Sequence, residues 1–321
     1  MTKVAYIFPG QGSQYVGMGQ ALAAASPAAA AVFAAADAAL GEPISAIAFE
    51  GPEERLNLTE NAQPALLATT IAYLEAIRER TVGQADMPAP TWMAGHSMGQ
   101  YSAMVAAGVL SLADGLRLVR ERGRQMQASG EGRDGAMAAI IGLDDAALPA
   151  LVARASATGT FGVANRNAPG QVVVSGERAA IEAGAEIAKE LGAKRAIVLP
   201  VSVAAHSPLM AEAAVAMASV LGDIAFSDPA APLLANADAH ALRTGPEARA
   251  ELVEHLTTGV DWVRAVETMA ADGVDTFVEV GPGRVLTGLT KRIATEATVL
   301  AADDPSAPDR LAVPGRATGT T

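Results

Sequence analysis

Residues 95–99 read Gly95-His96-Ser97-Met98-Gly99, behind a short extended run (Thr91-Trp92-Met93-Ala94) and ahead of a small-residue helical stretch from Gln100 to Gly108. Strand, Gly-x-Ser-x-Gly and helix in that order describe a sharp turn with the serine at its tip. The glycines admit a turn too tight for a Cβ and let the helix lie close against the strand. Ser97 Oγ is then presented at a helix N-terminus, where backbone N–H groups lack partners. That placement predicts an α/β fold and a serine able to carry an acyl group as an ester. A glycine-rich turn is also a common structural device, so the pentapeptide takes its meaning from partners elsewhere in the chain.

With 321 residues the chain can bury one large core, or one core with a smaller second one. Half of it is hydrophobic but only 4% is aromatic, so the core is expected to be aliphatic and helix-rich. No apolar run approaches the roughly 18 residues of a membrane span. The first residues, Met1 to Tyr6, read as a strand and lack the charged and apolar regions of a signal peptide. The absence of cysteine removes disulfides, thiolate metal sites and a thiol nucleophile together. The four histidines have no metal-ligand spacing, and neither a Walker loop nor Gly-x-Gly-x-x-Gly is present. A cytoplasmic protein without a metal is the expectation. The net charge of −12 argues against nucleic acid and anionic membranes as partners. A negatively charged partner would need a local basic patch, for which Lys189, Lys194 and Arg195, or Arg284, Lys291 and Arg292, are the candidates.

The chain opens with a strand (Lys3 to Phe8), a glycine turn and a helix; further helices are predicted over 27–40, 63–80 and 112–129. The polar, glycine-rich stretch 129–135 is a candidate boundary. Then the rhythm changes: strand 136–142, helix 144–157, strands 161–165 and 171–175, helix 178–191, strand 194–201. That β-α-β-β-α-β order is the ferredoxin-like pattern. An α/β rhythm resumes with helix 208–221, a strand near 232–235, helices 247–256 and 262–272, strand 276–280, helix 284–294 and strand 297–301. The chain thus divides into a discontinuous parent domain (1–130 and 203–302), an inserted small domain (131–202) and, from Asp303, a loose flexible tail (303–321) rich in Pro, Gly, Asp and Thr.

A serine hydroxyl needs an adjacent base at neutral pH. Of the histidines, His96 is aimed away from Ser97 by the turn, His240 sits in a polar loop, and His255, flanked by Glu251 and Glu254, reads as solvated. His206 lies between the apolar run ending at Ala205 and Ser207-Pro208, which reads as a helix start. That is the sheet edge where ligand crevices form, and a helix N-terminus there favours neutral imidazole. His206 is therefore the predicted general base. An oxyanion hole needs two donors: the Met98 N–H is one, and the Gln11 N–H in the turn after the first strand is the candidate for the other.

The helix 112–129 carries Leu112, Leu116, Val119, Gly123 and Met126 as its apolar stripe. At 100° per residue, Arg117, Arg120 and Arg124 fall on the far, solvated face, whereas Arg122 lies at the edge of the stripe. A buried arginine there needs a carboxylate. Either an internal Asp or Glu supplies it, or a substrate does, gripped by the planar fork. Beside an acyl-serine the second option selects acyl groups with a free acid, of which malonyl is the most common.

In order along the chain stand Phe8-Pro9-Gly10-Gln11-Gly12-Ser13-Gln14, Gly95-His96-Ser97-Met98-Gly99-Gln100-Tyr101-Ser102-Ala103, Arg122-Gly123, Asn165-Arg166-Asn167-Ala168-Pro169-Gly170-Gln171, His206-Ser207-Pro208-Leu209-Met210 and Glu279-Val280-Gly281-Pro282-Gly283. With these motifs the chain, to about residue 300, resembles malonyl-CoA:acyl-carrier-protein transacylases and the acyltransferase domains of fatty acid and polyketide synthases. The resemblance implies an α/β-hydrolase-like core with a ferredoxin-like insert. It implies Ser97 as nucleophile, His206 as base, Gln11 and Met98 as oxyanion donors, Arg122 on the malonyl carboxylate and Asn165 lining the cleft between the domains. It implies malonyl-CoA and an acyl carrier protein as partners and no cofactor, the coenzyme A thioester being a substrate. The family's histidine is held by a backbone carbonyl near the position of Asp261, where relatives carry Gln or Arg; Asp261 itself is expected to cap helix 262–272. Gln100 stands where Glu is more frequent, and Ala205 where Phe or Ser is common, which leaves room for a methylmalonyl group. A serine esterase or thioesterase on the same elbow, and a carrier-binding scaffold with a dead site, are the alternatives.

Overall fold

The computed structural model describes residues 2–81, 89–130, 134–199, 201, 203–307 and 311. Among these residues eleven strands run in chain order as β1 (Val4–Phe8), β2 (Trp92–Gly95), β3 (Gly135–Ile141), β4 (Phe161–Ala168), β5 (Gln171–Glu177), β6 (Arg195–Val198), β7 (Leu233–Leu234), β8 (Ala241–Leu242), β9 (Val260–Asp261), β10 (Thr276–Val280) and β11 (Thr298–Ala302). They form a six-stranded sheet ordered β11-β10-β1-β2-β7-β8 and a five-stranded sheet ordered β6-β3-β5-β4-β9.

In the larger sheet β11, β10, β1, β2 and β7 are parallel, and only β8 runs against its neighbour. β1 is apolar throughout and fully buried, as a strand covered on both faces must be. Its period of two divides it between two cores: Val4, Tyr6 and Phe8 join the cluster under the helices Thr59–Thr81 and Leu112–Gly130, and Ala5 and Ile7 join the one under the helix Trp262–Ala271.

The smaller sheet contains β3, β4, β5 and β6 as antiparallel pairs, with the helices Leu148–Ala155 and Arg178–Glu190 packed over a third cluster. The β-α-β-β-α-β order expected for this stretch is present. β4 extends to Ala168, past the expected end at Asn165, because it pairs with β5 on one side and with β9 on the other. β9, two residues from the segment beyond the insert, adds a fifth strand that carried no pattern of its own. It is parallel to β4 and ties the small sheet to the rest of the chain.

One expectation fails at the C-terminal end. Asp303 accepts from Arg284, Ala307 is fully buried, and Leu311 packs on the large core, so residues 303–307 and 311 belong to the fold. Ala307, Leu311 and the Arg284–Asp303 ion pair seat this segment. The remainder of the predicted tail lies outside the described residues. Among those described, no helix is long and apolar enough to cross a membrane.

Candidate active site

Gly95 and Gly99 are required by contact: a Cβ on Gly95 would lie 2.1 Å from the Gly99 carbonyl, and one on Gly99 2.2 Å from the Phe8 carbonyl oxygen. The helix Gly99–Ala106 can therefore start directly on the ends of β1 and β2. The left-handed residue of the turn is Ser97 itself, at φ 51°. His206, at φ 59°, is another of the three described non-glycine residues with positive φ. Such conformations cost on the order of 1–3 kcal/mol each and persist only where the surroundings over-determine them.

These two residues meet. Ser97 Oγ lies 2.9 Å from His206 Nε2. His206 Nδ1 lies 2.8 Å from the Thr258 carbonyl and 3.1 Å from that of His255. Two carbonyls can only accept, so Nδ1 carries the proton and Nε2 is left to receive that of the serine. The carbonyls come three and six residues before Asp261, a correction to the expected position. Asp261 caps its helix as expected, accepting from the Arg264 N–H, and its other oxygen pairs with Arg166 at 2.9 Å.

Arg122 completes the group. It is 1% exposed, donates from Nη2 to Ser97 Oγ at 3.3 Å, and lies over the Tyr101 ring at 5.7 Å. No carboxylate of the described residues pairs with it, and its Nε has no partner. Of the two options open in the sequence, the internal ion pair is absent among the described residues. A fully buried cation without a counter-ion is costly, and the cost is offset when a ligand brings the missing charge.

Burial first, and the positive field of Arg122 second, hold the His206 pKa at about 4, below the usual 6.5. The imidazole is thus neutral at physiological pH. Of the oxyanion candidates, neither the Met98 nor the Gln11 N–H is taken up by a hydrogen bond among the described residues, and the Gly10–Gln11 turn packs on the His96 carbonyl, beside the elbow. Asn165 is 7% exposed on β4, opposite Val260 of β9. No hydrogen bond joins it to Ser97, His206 or Arg122.

Two expectations are overturned. His255 is fully buried, edge-on to both His206 (5.6 Å) and Tyr101 (6.1 Å), because the helix before it turns that face onto the core; its two flanking glutamates had suggested solvent. Arg120 is 5% exposed and pairs with Glu42 and Asn61, since its helix is covered on two sides rather than one. In the two candidate basic patches, Lys189 pairs with Glu186, Arg284 with Asp303, and Arg292 with the Pro169 carbonyl and Gln171. Sequence reasoning also missed Asn236, whose carboxamide bonds the Ser97 N–H at 2.9 Å and the Gly95 carbonyl at 3.1 Å. Its only signal was an asparagine shortly after a strand, in a loop read as polar. His96 points elsewhere as expected, to Asn167 (2.8 Å) and the Trp262 ring (5.7 Å).

The acyl transferase domain family model matches residues 5–306. The malonyl CoA-acyl carrier protein transacylase of Escherichia coli K12 is 46% identical over 307 residues, covering 96% of this chain and 98% of the relative. The chain belongs to the malonyl CoA-acyl carrier protein transacylase family. The Bacillus subtilis transacylase is 42% identical over 306 residues, 95% of each chain. Two solved structures are similar. The acyl-carrier-protein S-malonyltransferase of Bartonella henselae has a TM-score of 0.93 at 40% identity, covering 97% of this chain and 100% of that one. A malonyl-transacylase in complex with a type II polyketide synthase acyl-carrier protein has a TM-score of 0.92 at 41% identity, covering 97% and 99%. The mixed α/β architecture is that of these transacylase structures.

The buried histidine of this family member makes its stability acid-sensitive. His206 binds a proton near pH 6.5 when unfolded and near 4 when folded. Between those values the unfolded state holds more protons, so stability falls as pH drops from 6.5 toward 4, by up to about 1.4 kcal/mol per pH unit for this group, and levels off below. Glu251, raised to about 6 by burial, opposes this. The urea midpoint of His206→Gln is therefore expected to fall less between pH 6.5 and 5 than that of the wild type. Parallel curves for the two proteins would contradict the neutral burial of His206.

Proposed function

We propose that this chain moves a malonyl group from coenzyme A to the phosphopantetheine thiol of an acyl carrier protein, by a ping-pong route through an ester on Ser97. The observation that carries the reading is the single contact point: Ser97 Oγ touches His206 Nε2 at 2.9 Å and Arg122 Nη2 at 3.3 Å. Base, nucleophile and a carboxylate-seeking cation thus lie within one three-carbon diacid of each other.

His206 Nε2 accepts the Ser97 proton as Oγ attacks the thioester carbonyl. The Met98 and Gln11 N–H groups receive the negative charge that develops on the carbonyl oxygen. Collapse expels the coenzyme A sulfur, which takes the proton from His206, and malonyl remains on Ser97. The carrier thiol then gives its proton to His206, attacks the ester, and Ser97 leaves with that proton. Throughout, Arg122 holds the free carboxylate and Asn165 lines the cleft. No step requires a cofactor.

The same reading takes residues 1–130 and 203–302 as a discontinuous hydrolase-like domain and 131–202 as a ferredoxin-like insert; the observed order β6-β3-β5-β4, all antiparallel, supports the latter. A cytoplasmic location is part of it. A plain serine esterase is disfavoured by Arg122, since a neutral acyl chain gains nothing from a buried cation.

Intact-protein mass spectrometry after mixing with malonyl-CoA tests the reading. The wild type is expected to gain one malonyl group and Ser97→Ala none. A wild type without an adduct, or an adduct that persists in Ser97→Ala, removes it.

A further inference from the structure

β2 and β7 pair in parallel, with Met93 opposite Leu233 and the Met93 N–H on the Pro232 carbonyl at 3.0 Å. A parallel ladder continued from there would join the Gly95 N–H to the Leu234 carbonyl, the Asn236 N–H to the Gly95 carbonyl, and the Ser97 N–H to the Asn236 carbonyl. None of these backbone bonds forms. Each is replaced by a side-chain carboxamide.

Gln100 stands in the first gap: its Oε1 accepts from the Gly95 N–H at 3.2 Å and its Nε2 donates to the Leu234 carbonyl at 2.9 Å. Asn236 fills the other two, its Nδ2 donating to the Gly95 carbonyl and its Oδ1 accepting from the Ser97 N–H. Both residues are buried, at 0% and 4% exposure. The backbone of Asn236 meanwhile turns away: its N–H donates to Glu251 Oε1 at 2.7 Å and its carbonyl accepts from the Asp261 N–H at 2.7 Å. The two strands thus splay apart at the crevice while the ladder pattern continues through side chains.

We propose that Asn236, backed by Gln100, is the positioning residue that holds Ser97 in its left-handed conformation at the tip of the elbow. Its carboxamide grips the main chain on both sides of the turn. By occupying the Ser97 N–H it also leaves the Met98 N–H as the elbow donor without a partner among the described residues. A carboxylate at position 100 could not donate to the Leu234 carbonyl, so the glutamine amide belongs to the same device. The inference rests on the reading of Ser97 as the nucleophile.

The test measures the rate at which diisopropyl fluorophosphate phosphorylates Ser97, Oγ displacing fluoride and His206 taking the proton. This readout does not depend on the acyl group. Asn236→Ala is expected to react on the order of 10²-fold more slowly than wild type, the scale of a misplaced reacting group. Malonyl-CoA affinity, compared between Ser97→Ala and Ser97→Ala/Asn236→Ala, is expected to stay within about twofold. Asn236→Asp keeps the acceptor for the Ser97 N–H and is expected to fall between wild type and Asn236→Ala. If Asn236→Ala does not fold, Asn236→Asp decides alone: slowed labelling with affinity kept supports the proposal, and a wild-type rate overturns it. Labelling of Asn236→Ala within about threefold of wild type, or a rate loss matched by an equal loss of affinity, also overturns it. Those results leave the Ser97 reading intact, whereas a wild type that reacts with neither this reagent nor malonyl-CoA removes that reading itself.

Discussion

His206→Ala is expected to slow the acylation of Ser97 by malonyl-CoA on the order of 10⁴-fold or more, the scale seen when a serine loses its base. The 2.9 Å contact to Nε2 is the only route in the described structure by which the serine proton leaves Oγ toward a neutral base. In the proposed mechanism the two carbonyls on Nδ1 fix the tautomer and would stabilise the imidazolium, without a third acid. Single-turnover release of coenzyme A is the measurement, and a loss of less than tenfold would assign the proton to another group. The pH dependence carries a further sign. A base works unprotonated, so kcat/KM, which reports the free enzyme, is expected to stay level down to about pH 4 and to fall below it. Part of that low value comes from the charge of Arg122. When a bound malonyl carboxylate neutralises it, the His206 pKa rises, and the acid limb of kcat is expected at a higher pH than that of kcat/KM.

Arg122→Ala is expected to lower kcat/KM for malonyl-CoA by on the order of 10²–10³-fold, the range for truncating one member of a buried, hydrogen-bonded charge pair. The same variant is expected to gain activity on acetyl-CoA, because a neutral acyl group no longer faces a desolvated cation. Arg122→Lys is expected to recover only part of the loss, since a point charge replaces the two-pronged fork. Steady-state kinetics on the two thioesters checks all three. Equal losses on malonyl-CoA and acetyl-CoA would mean that Arg122 supports the fold near Tyr101 and does not read the acyl group.

The features legible in advance are local ones. The elbow, each element of the β-α-β-β-α-β run, the helix start at Ser207-Pro208 and the buried edge position of Arg122 all follow from patterns within about twenty residues or fewer. Ser207 does accept from the Leu209 N–H, although the first turn, Pro208–Met210, is a 3₁₀ turn before the helix Ala211–Gly222 continues. The misses share a different character. Arg120 looked solvated because its own helix has a single apolar stripe, but Glu42 and Asn61 come from elsewhere to pair it. His255 sat between two glutamates in sequence and against His206 in space. β9 is two residues long and exists only because β4 offers an edge.

Residue order alone determined which chemistry is available: one hydroxyl forced to the tip of a turn by glycine contacts, one imidazole at a strand-to-helix junction, one arginine on the wrong side of its helix. These follow from short-range sterics and periodicity, which every segment carries within itself. Tertiary structure alone decided that the three converge on one oxygen, that Arg122 is left without a carboxylate among the described residues, and that an asparagine well over a hundred residues downstream grips the elbow. Those outcomes depend on hydrogen bonds and charges brought together across 25 to 139 positions of chain, and no local pattern encodes the partner at the far end.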